Sequence, residues 1–194
     1  VILELGTNPQ PRGSYEIKER RKGSCFYWDR ANNGDQPYNS RRYAYVTPNY
    51  ILGSFQSDTD KQFIPLAGNV AHMQNSLVFP TSPEARIAWG ERGYISTGRI
   101  ETFQHKNVVI TSTKATGATL ALSFPPEGTL DESVSESGWT FIKEGDAFAT
   151  IKNMTGIIII EAAQSSDYQN SFAQFKTQIK QNQILLGQLD QIHV

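Results

Sequence analysis

The stretch from Trp139 to Ile179 constrains this chain more than any other. Trp139 and Phe141 alternate with Thr140 and Ile142, and Ala147, Ala149 and Ile151 return along a second arm. That period of two is what a half-buried strand requires, and Glu144-Gly145-Asp146 between the arms carries turn chemistry. Next comes Gly156-Ile157-Ile158-Ile159-Ile160, apolar on both faces. Such a run predicts a central strand covered by other structure on each side. Beyond it Phe172, Phe175 and Ile179 stand at i, i+3 and i+7, while Gln174, Lys176, Gln178 and Lys180 point elsewhere. This spacing predicts one amphipathic helix, with Asp167 or Asn170 as its cap and Asn182 near its end.

Alternation with the same period recurs upstream. Tyr15 and Ile17 alternate with Glu16 and Lys18, and Val108 and Ile110 oppose Val109 and Thr111. Leu120, Leu122 and Phe124 share a face until Pro125-Pro126 stops the run, since proline cannot donate to a ladder. One helix among about a dozen strands implies a mainly β fold. The expected architecture is an antiparallel β-sandwich, supersandwich-like, with the helix near the C-terminus packed across an edge or bridging strands. Residues 32–37 and 80–84 read as long loops, and neither resembles a domain linker. Residues 1–194 therefore read as a single domain. The first residues are Val-Ile-Leu-Glu-Leu and the last, Gln-Ile-His-Val, look like the opening of a strand. Both ends read as cut, as in a fragment or processed part of a larger protein.

Composition narrows the function classes. With 18 Lys plus Arg against 19 Asp plus Glu, the net charge is −1. That balance argues against nucleic-acid partners and polybasic membrane binding. No apolar run approaches the roughly 18 residues that a membrane helix needs. Cys25 is the single cysteine, which excludes an intrachain disulfide framework. Charged residues are sparse at 19%, and Asn, Gln, Ser, Thr and Gly take their place. A surface of that kind hydrogen-bonds to neutral polar ligands, and it suits carbohydrate and a secreted or periplasmic setting. Asn153-Met154-Thr155 also fits the N-glycosylation acceptor pattern, a weak signal by itself.

Motifs for catalysis are scarce. His72, His105 and His193 lie far apart, none with a second ligand at a metal-binding spacing. There is no nucleophile elbow, phosphate-cradling loop or dinucleotide fingerprint, so neither a metal nor another cofactor is expected. Asp58 and Asp60 read as a solvated turn. Aromatic clusters are more suggestive. On a strand, Tyr43 and Tyr45 share one face roughly 6.8 Å apart, with Ala44 and Val46 on the other. Exposed, the two rings would form a platform for sugar C–H faces, with Arg41 and Arg42 nearby. Buried, they would pack between two sheets. Arg86, Trp89, Arg92, Tyr94, Arg99 and His105, interspersed with Gly90, Gly93 and Gly98, read as loops and short strands. Trp89, Arg92 and Arg99 are candidate ligand contacts on that reading.

Four blocks together carry a family resemblance. They are residues 45–54 (Tyr-Val-Thr-Pro-Asn-Tyr-Ile-Leu-Gly-Ser), residues 71–79 (Ala-His-Met-Gln-Asn-Ser-Leu-Val-Phe), residues 99–110 (Arg-Ile-Glu-Thr-Phe-Gln-His-Lys-Asn-Val-Val-Ile) and the hairpin 139–151. In order and content they resemble the β-sheet region that follows the helical toroid in heparinase II/III-like proteins and related polysaccharide lyases. The resemblance spans about residues 40–194 and implies a polysaccharide or oligosaccharide partner. It also implies a partnership with the missing helical domain or another chain, because much of the lyase machinery lies on the toroid. Such lyases abstract the proton next to a uronate carboxylate and then β-eliminate, which needs a base, an acid and a group on the carboxylate. On this resemblance His72 or His105 would transfer the proton, with Tyr50 or Tyr94 as partner and Arg92 or Arg99 on the carboxylate. Two other readings stand beside it: a stand-alone carbohydrate-binding module that cleaves nothing, and a structural or assembly domain.

Overall fold

The computed structural model describes residues 15–22, 39–57, 75–91, 99–114 and 116–182. Cys25, Asp58, Asp60, His72, Arg92, Tyr94, His193 and the loop at 32–37 lie outside the described residues.

Twelve strands in the described residues form two six-stranded antiparallel sheets. The first sheet holds β1 (Tyr15–Lys22), β2 (Asn39–Val46), β3 (Ile51–Ser57), β4 (Asn75–Phe79), β5 (Ser82–Glu91) and β8 (Leu120–Ser123), ordered β1-β2-β3-β4-β5-β8. The second holds β6 (Ile100–His105), β7 (Val108–Thr113), β9 (Glu132–Glu136), β10 (Trp139–Glu144), β11 (Ala147–Met154) and β12 (Ile157–Gln164). Its order is β6-β7-β12-β11-β10-β9.

Alternation decides what each sheet buries. Leu52, Leu77, Ile87 and Trp89 of the first sheet meet Val109, Ile142, Ile151, Ile158 and Ile160 of the second in one core. The mainly β sandwich expected from the sequence is therefore the observed fold. Gly145 closes the β10–β11 turn at φ 53°, and Gly156 closes the β11–β12 turn at φ 75°. Both angles lie in the left-handed region where a side chain is strained.

A second core lies on the outer face of the second sheet. A short 3-10 helix (Ser165–Tyr168) leads into α1 (Phe172–Gln181). Helix α1 lays Phe175 and Ile179 on Phe141, Phe148 and Ala163, with Phe172, Tyr168, Trp139 and Val134 at the margin. Rings meet at 4.9 Å (Tyr168 to Phe175) and 6.2 Å (Phe141 to Phe175), both edge to face. Two lysines then fasten the helix to β9, Lys176 and Lys180 each donating to one oxygen of Glu136 at 2.7 and 2.6 Å.

Three details depart from the sequence reading, while the helix takes the bridging one of its two expected placements, lying on a sheet face because Phe141 and Phe148 point outward and need cover. Ser171 caps it, accepting from the Gln174 N–H at 3.2 Å, while Asp167 serves the preceding turn by accepting from the Gln164 N–H. Of the four isoleucines in β12 only Ile158 and Ile160 are buried; Ile157 and Ile159 face outward beyond the reach of α1 and are half-buried. Residues 80–84 form a tight turn into β5, with Pro83 in the part of that strand beyond its pairing with β8, where a missing N–H costs nothing.

Candidate functional site

The sandwich has two ends. At one, β2 and β3 meet through Thr47-Pro48-Asn49-Tyr50. The Thr47 hydroxyl accepts from the N–H groups of Asn49 and Tyr50 and donates to the Tyr50 carbonyl, closing the turn on one side chain. Tyr50 is buried and its hydroxyl donates to the Ala162 carbonyl of the second sheet at 3.2 Å. Burial first, and then Tyr45 alongside, push its phenol well above the ordinary range. Tyr45 packs on the sandwich core, its ring 6.3 Å from that of Tyr50. The Tyr43 hydroxyl accepts from the Lys106 N–H at 2.9 Å. Tyr43 and Tyr45 therefore share a face, as expected, and that face looks inward, toward the second sheet.

His105 is exposed at the end of β6. Cross-strand pairing puts it in one outward row with Val108 and Glu161. Tyr50 stands at the same end, but its ring is inside and its hydroxyl is spent on Ala162. The structure thus brings these two residues to one end without joining them in a proton-transfer pair. Glu161, not singled out by the sequence reading, has its carboxyl raised above the ordinary range by partial burial. Tyr168 beside it is raised by burial and by that carboxylate. Nothing in the sequence marks Glu161, because its environment is made by a 3-10 helix folded back on the strand.

Trp89 lies far from solvent. Its indole N–H donates to the Thr111 hydroxyl at 2.9 Å across the two sheets, and the side chain is fully enclosed. The stretch from Arg86 to Glu91, expected as irregular, is the buried half of the ten-residue strand β5. Trp89 reads as a loop residue in the sequence because Gly90, Gly93 and Gly98 punctuate the stretch.

The opposite end opens into a cleft of about 520 Å³ between β8, the end of β7 and the β11–β12 turn. Ala118 and Leu120 supply apolar surface, and Met154 borders the cleft at the end of β11. Thr113, Thr119, Asn153 and Thr155 supply four neutral polar side chains, which make no hydrogen bond to another described residue. Gly156 shapes one wall: a Cβ there would sit 2.9 Å from the Thr113 hydroxyl oxygen. Arg99 lies just beside the cleft. Its guanidinium is 3.2 Å from the Glu91 carboxylate, which is 8% exposed, and also reaches the Thr116 carbonyl. Of the sequence-derived candidates, Arg99 alone lies next to this cleft among the described residues. Asn153 and Thr155 belong to the glycosylation pattern, and no sequence signal marked Thr113 or Thr119, which become neighbours only when the two sheets close. Among the described residues, no three metal-ligating side chains come together.

No family model, curated protein or solved structure matches this chain.

Proposed function

We propose that this chain is the β-sandwich domain of a polysaccharide-processing, lyase-like protein, and that it holds glycan in the cleft at the β11–β12 end. The observation that carries the proposal is the set of four unspent polar side chains, Thr113, Thr119, Asn153 and Thr155, around an apolar floor. Several amides and hydroxyls inside the sandwich are, by contrast, bonded through at least one atom. Gln104 and Asn107 donate to main-chain carbonyls, Asn75 accepts from the Phe55 N–H, and Trp89 is bonded to Thr111. Hydroxyls and an amide beside aliphatic carbon suit a sugar, which offers hydroxyls on its edges and C–H groups on its faces. The volume also falls within the range of roughly 300–1,000 Å³ typical of ligand pockets.

Isothermal titration against a panel of oligosaccharides tests this directly. Binding should be detectable and should weaken at least fivefold in Asn153→Ala and in Thr119→Val, with the far-UV spectrum unchanged. Absence of binding to every glycan, or binding indifferent to both substitutions, removes the cleft as the site. The stand-alone binding module is the second reading, favoured by the separation of His105 at one end from Arg99 at the other. Unsaturated-product absorbance with uronate polymers separates the two.

A further inference from the structure

Among the described residues, α1 covers the β10 and β11 side of the outer face of the second sheet. The other side, on β6, β7 and β12, carries an apolar row. Cross-strand pairing sets Phe103 beside Ile110, and Ile110 beside Ile159. Phe103 is 69% exposed, Ile110 is 41% exposed, and Ile159 is half-buried. Two residues along the strands, the row of His105, Val108 and Glu161 shares this face, since side chains alternate with a period of two. The side chains of His105 and Glu161 make no hydrogen bond or ion pair with a described residue. An exposed apolar patch rimmed by polar groups marks a surface for another protein.

We infer that a second copy of this chain docks on this face, the two sheets related by a two-fold axis parallel to the strands and running along β7. The register of the rows argues for that partner. Such an axis exchanges β6 with β12 and returns β7 to itself. Phe103 then meets the partner's Ile159, while Ile110 and Val108 each meet their own counterpart. In the same arrangement His105 faces the partner's Glu161, so an imidazole N–H meets a carboxylate that has no described partner, and it does so twice. Glu101 falls at the rim, opposite the partner's Ile157. Sheets that pack face to face keep their strands within about 30° of each other, which lets these rows meet. Helix α1 does not stand in the way: it lies over β10 and β11, beyond the partner's β6, where that sheet ends. The face is thus complementary to itself, as a two-fold interface requires.

The face is small, so the dimer should be weak, with a dissociation constant on the order of 100 μM. Sedimentation velocity of the whole chain, from dilute to concentrated solution, measures it. The dilute chain should be monomeric and a dimer should grow in as concentration rises. Ile110→Lys sets two like charges together on the axis and should abolish the dimer. His105→Ala and Glu161→Gln should each weaken it about tenfold, because each loss is felt twice across the axis, and the double variant should be little worse than either. The three positions lie outside both cores, and the far-UV spectrum of each dilute variant should match the parent. A chain that stays monomeric at every concentration overturns the proposal, whatever else covers the face. So does a dimer indifferent to Ile110→Lys, which would be built on another surface. A dimer lost in Ile110→Lys but insensitive to the changes at His105 and Glu161 overturns the two-fold register.

Discussion

The side-chain amide of Gln56, on β3 of the first sheet, pairs with the main chain around Thr102, on β6 at the edge of the second. Its Oε1 accepts from the Thr102 N–H at 2.6 Å, and its Nε2 donates to the Ile100 carbonyl at 3.3 Å. One amide thus satisfies the N–H and C=O of residues two apart, as a neighbouring strand would. Gln104 answers from the other sheet, donating to the Leu52 carbonyl at 2.9 Å. The sandwich is sealed along this edge by side chains in place of a ladder, and an otherwise adhesive edge is covered.

Replacing Gln56 with alanine should cost about 1–3 kcal/mol, because it leaves main-chain groups of β6 without their partner. Urea denaturation gives the loss of stability, and light scattering should show association through the exposed edge. A variant as stable and as monodisperse as the parent would mean that the amide is ornamental.

Phe175 is fully buried between α1 and the outward side chains of β10 and β11. Phe175→Ala should cost about 3–5 kcal/mol, the usual range for emptying a buried phenylalanine site. A negligible shift of the denaturation midpoint would contradict the helix-on-face packing.

Much of this fold was legible because it depends on period. The hairpin at Gly145, the strand through Leu120 and Leu122 (which ends at Ser123, two residues short of Pro125) and the helix carrying Phe172, Phe175 and Ile179 all follow from local spacing. What sequence did not reveal was which layer covers which face. Phe141 and Ile142 are adjacent and both fully buried, yet one lies under the helix and the other between the sheets. Only long-range packing distinguishes them. The resembling blocks also have structural uses here: Thr47 closes a turn, Asn75 bridges to β3 and Gln104 ties two sheets together. Their visibility in sequence reflects that service. The cleft residues are ordinary threonines and an asparagine, drawn from segments 40 positions apart, and no local pattern announces them.

Hydrogen bonds from Lys176 first, and then Lys180, hold the Glu136 carboxyl down from its ordinary 4.5 to about 2. A depressed folded-state value means the clamp contributes fully above the ordinary value and is lost as pH falls toward about 2. The parent should therefore lose stability relative to Glu136→Gln as the pH is lowered through that window. Parallel denaturation series of the two proteins measure the difference, and curves that stay parallel throughout would show that the two lysines contribute nothing in solution.

Glu161 should show the opposite sign. It stands outward on β12 between Val108 and Thr150, beside Tyr168, and partial burial raises its carboxyl above the ordinary range. For a raised group the protonated form is the one the fold favours. Its contribution is present below the unfolded value and disappears as pH rises through the folded one. At neutral pH the ionised side chain is poorly hydrated and subtracts from stability. Glu161→Gln keeps the shape and removes the charge, so it should be more stable than the parent at about pH 7, with the difference shrinking toward about pH 3.5, below the ordinary glutamate value. Denaturation midpoints at the two pH values decide it. A variant less stable at neutral pH would show that the carboxylate makes a favourable contact there, and the outward row of His105, Val108 and Glu161 would then have to be read as a site in its own right.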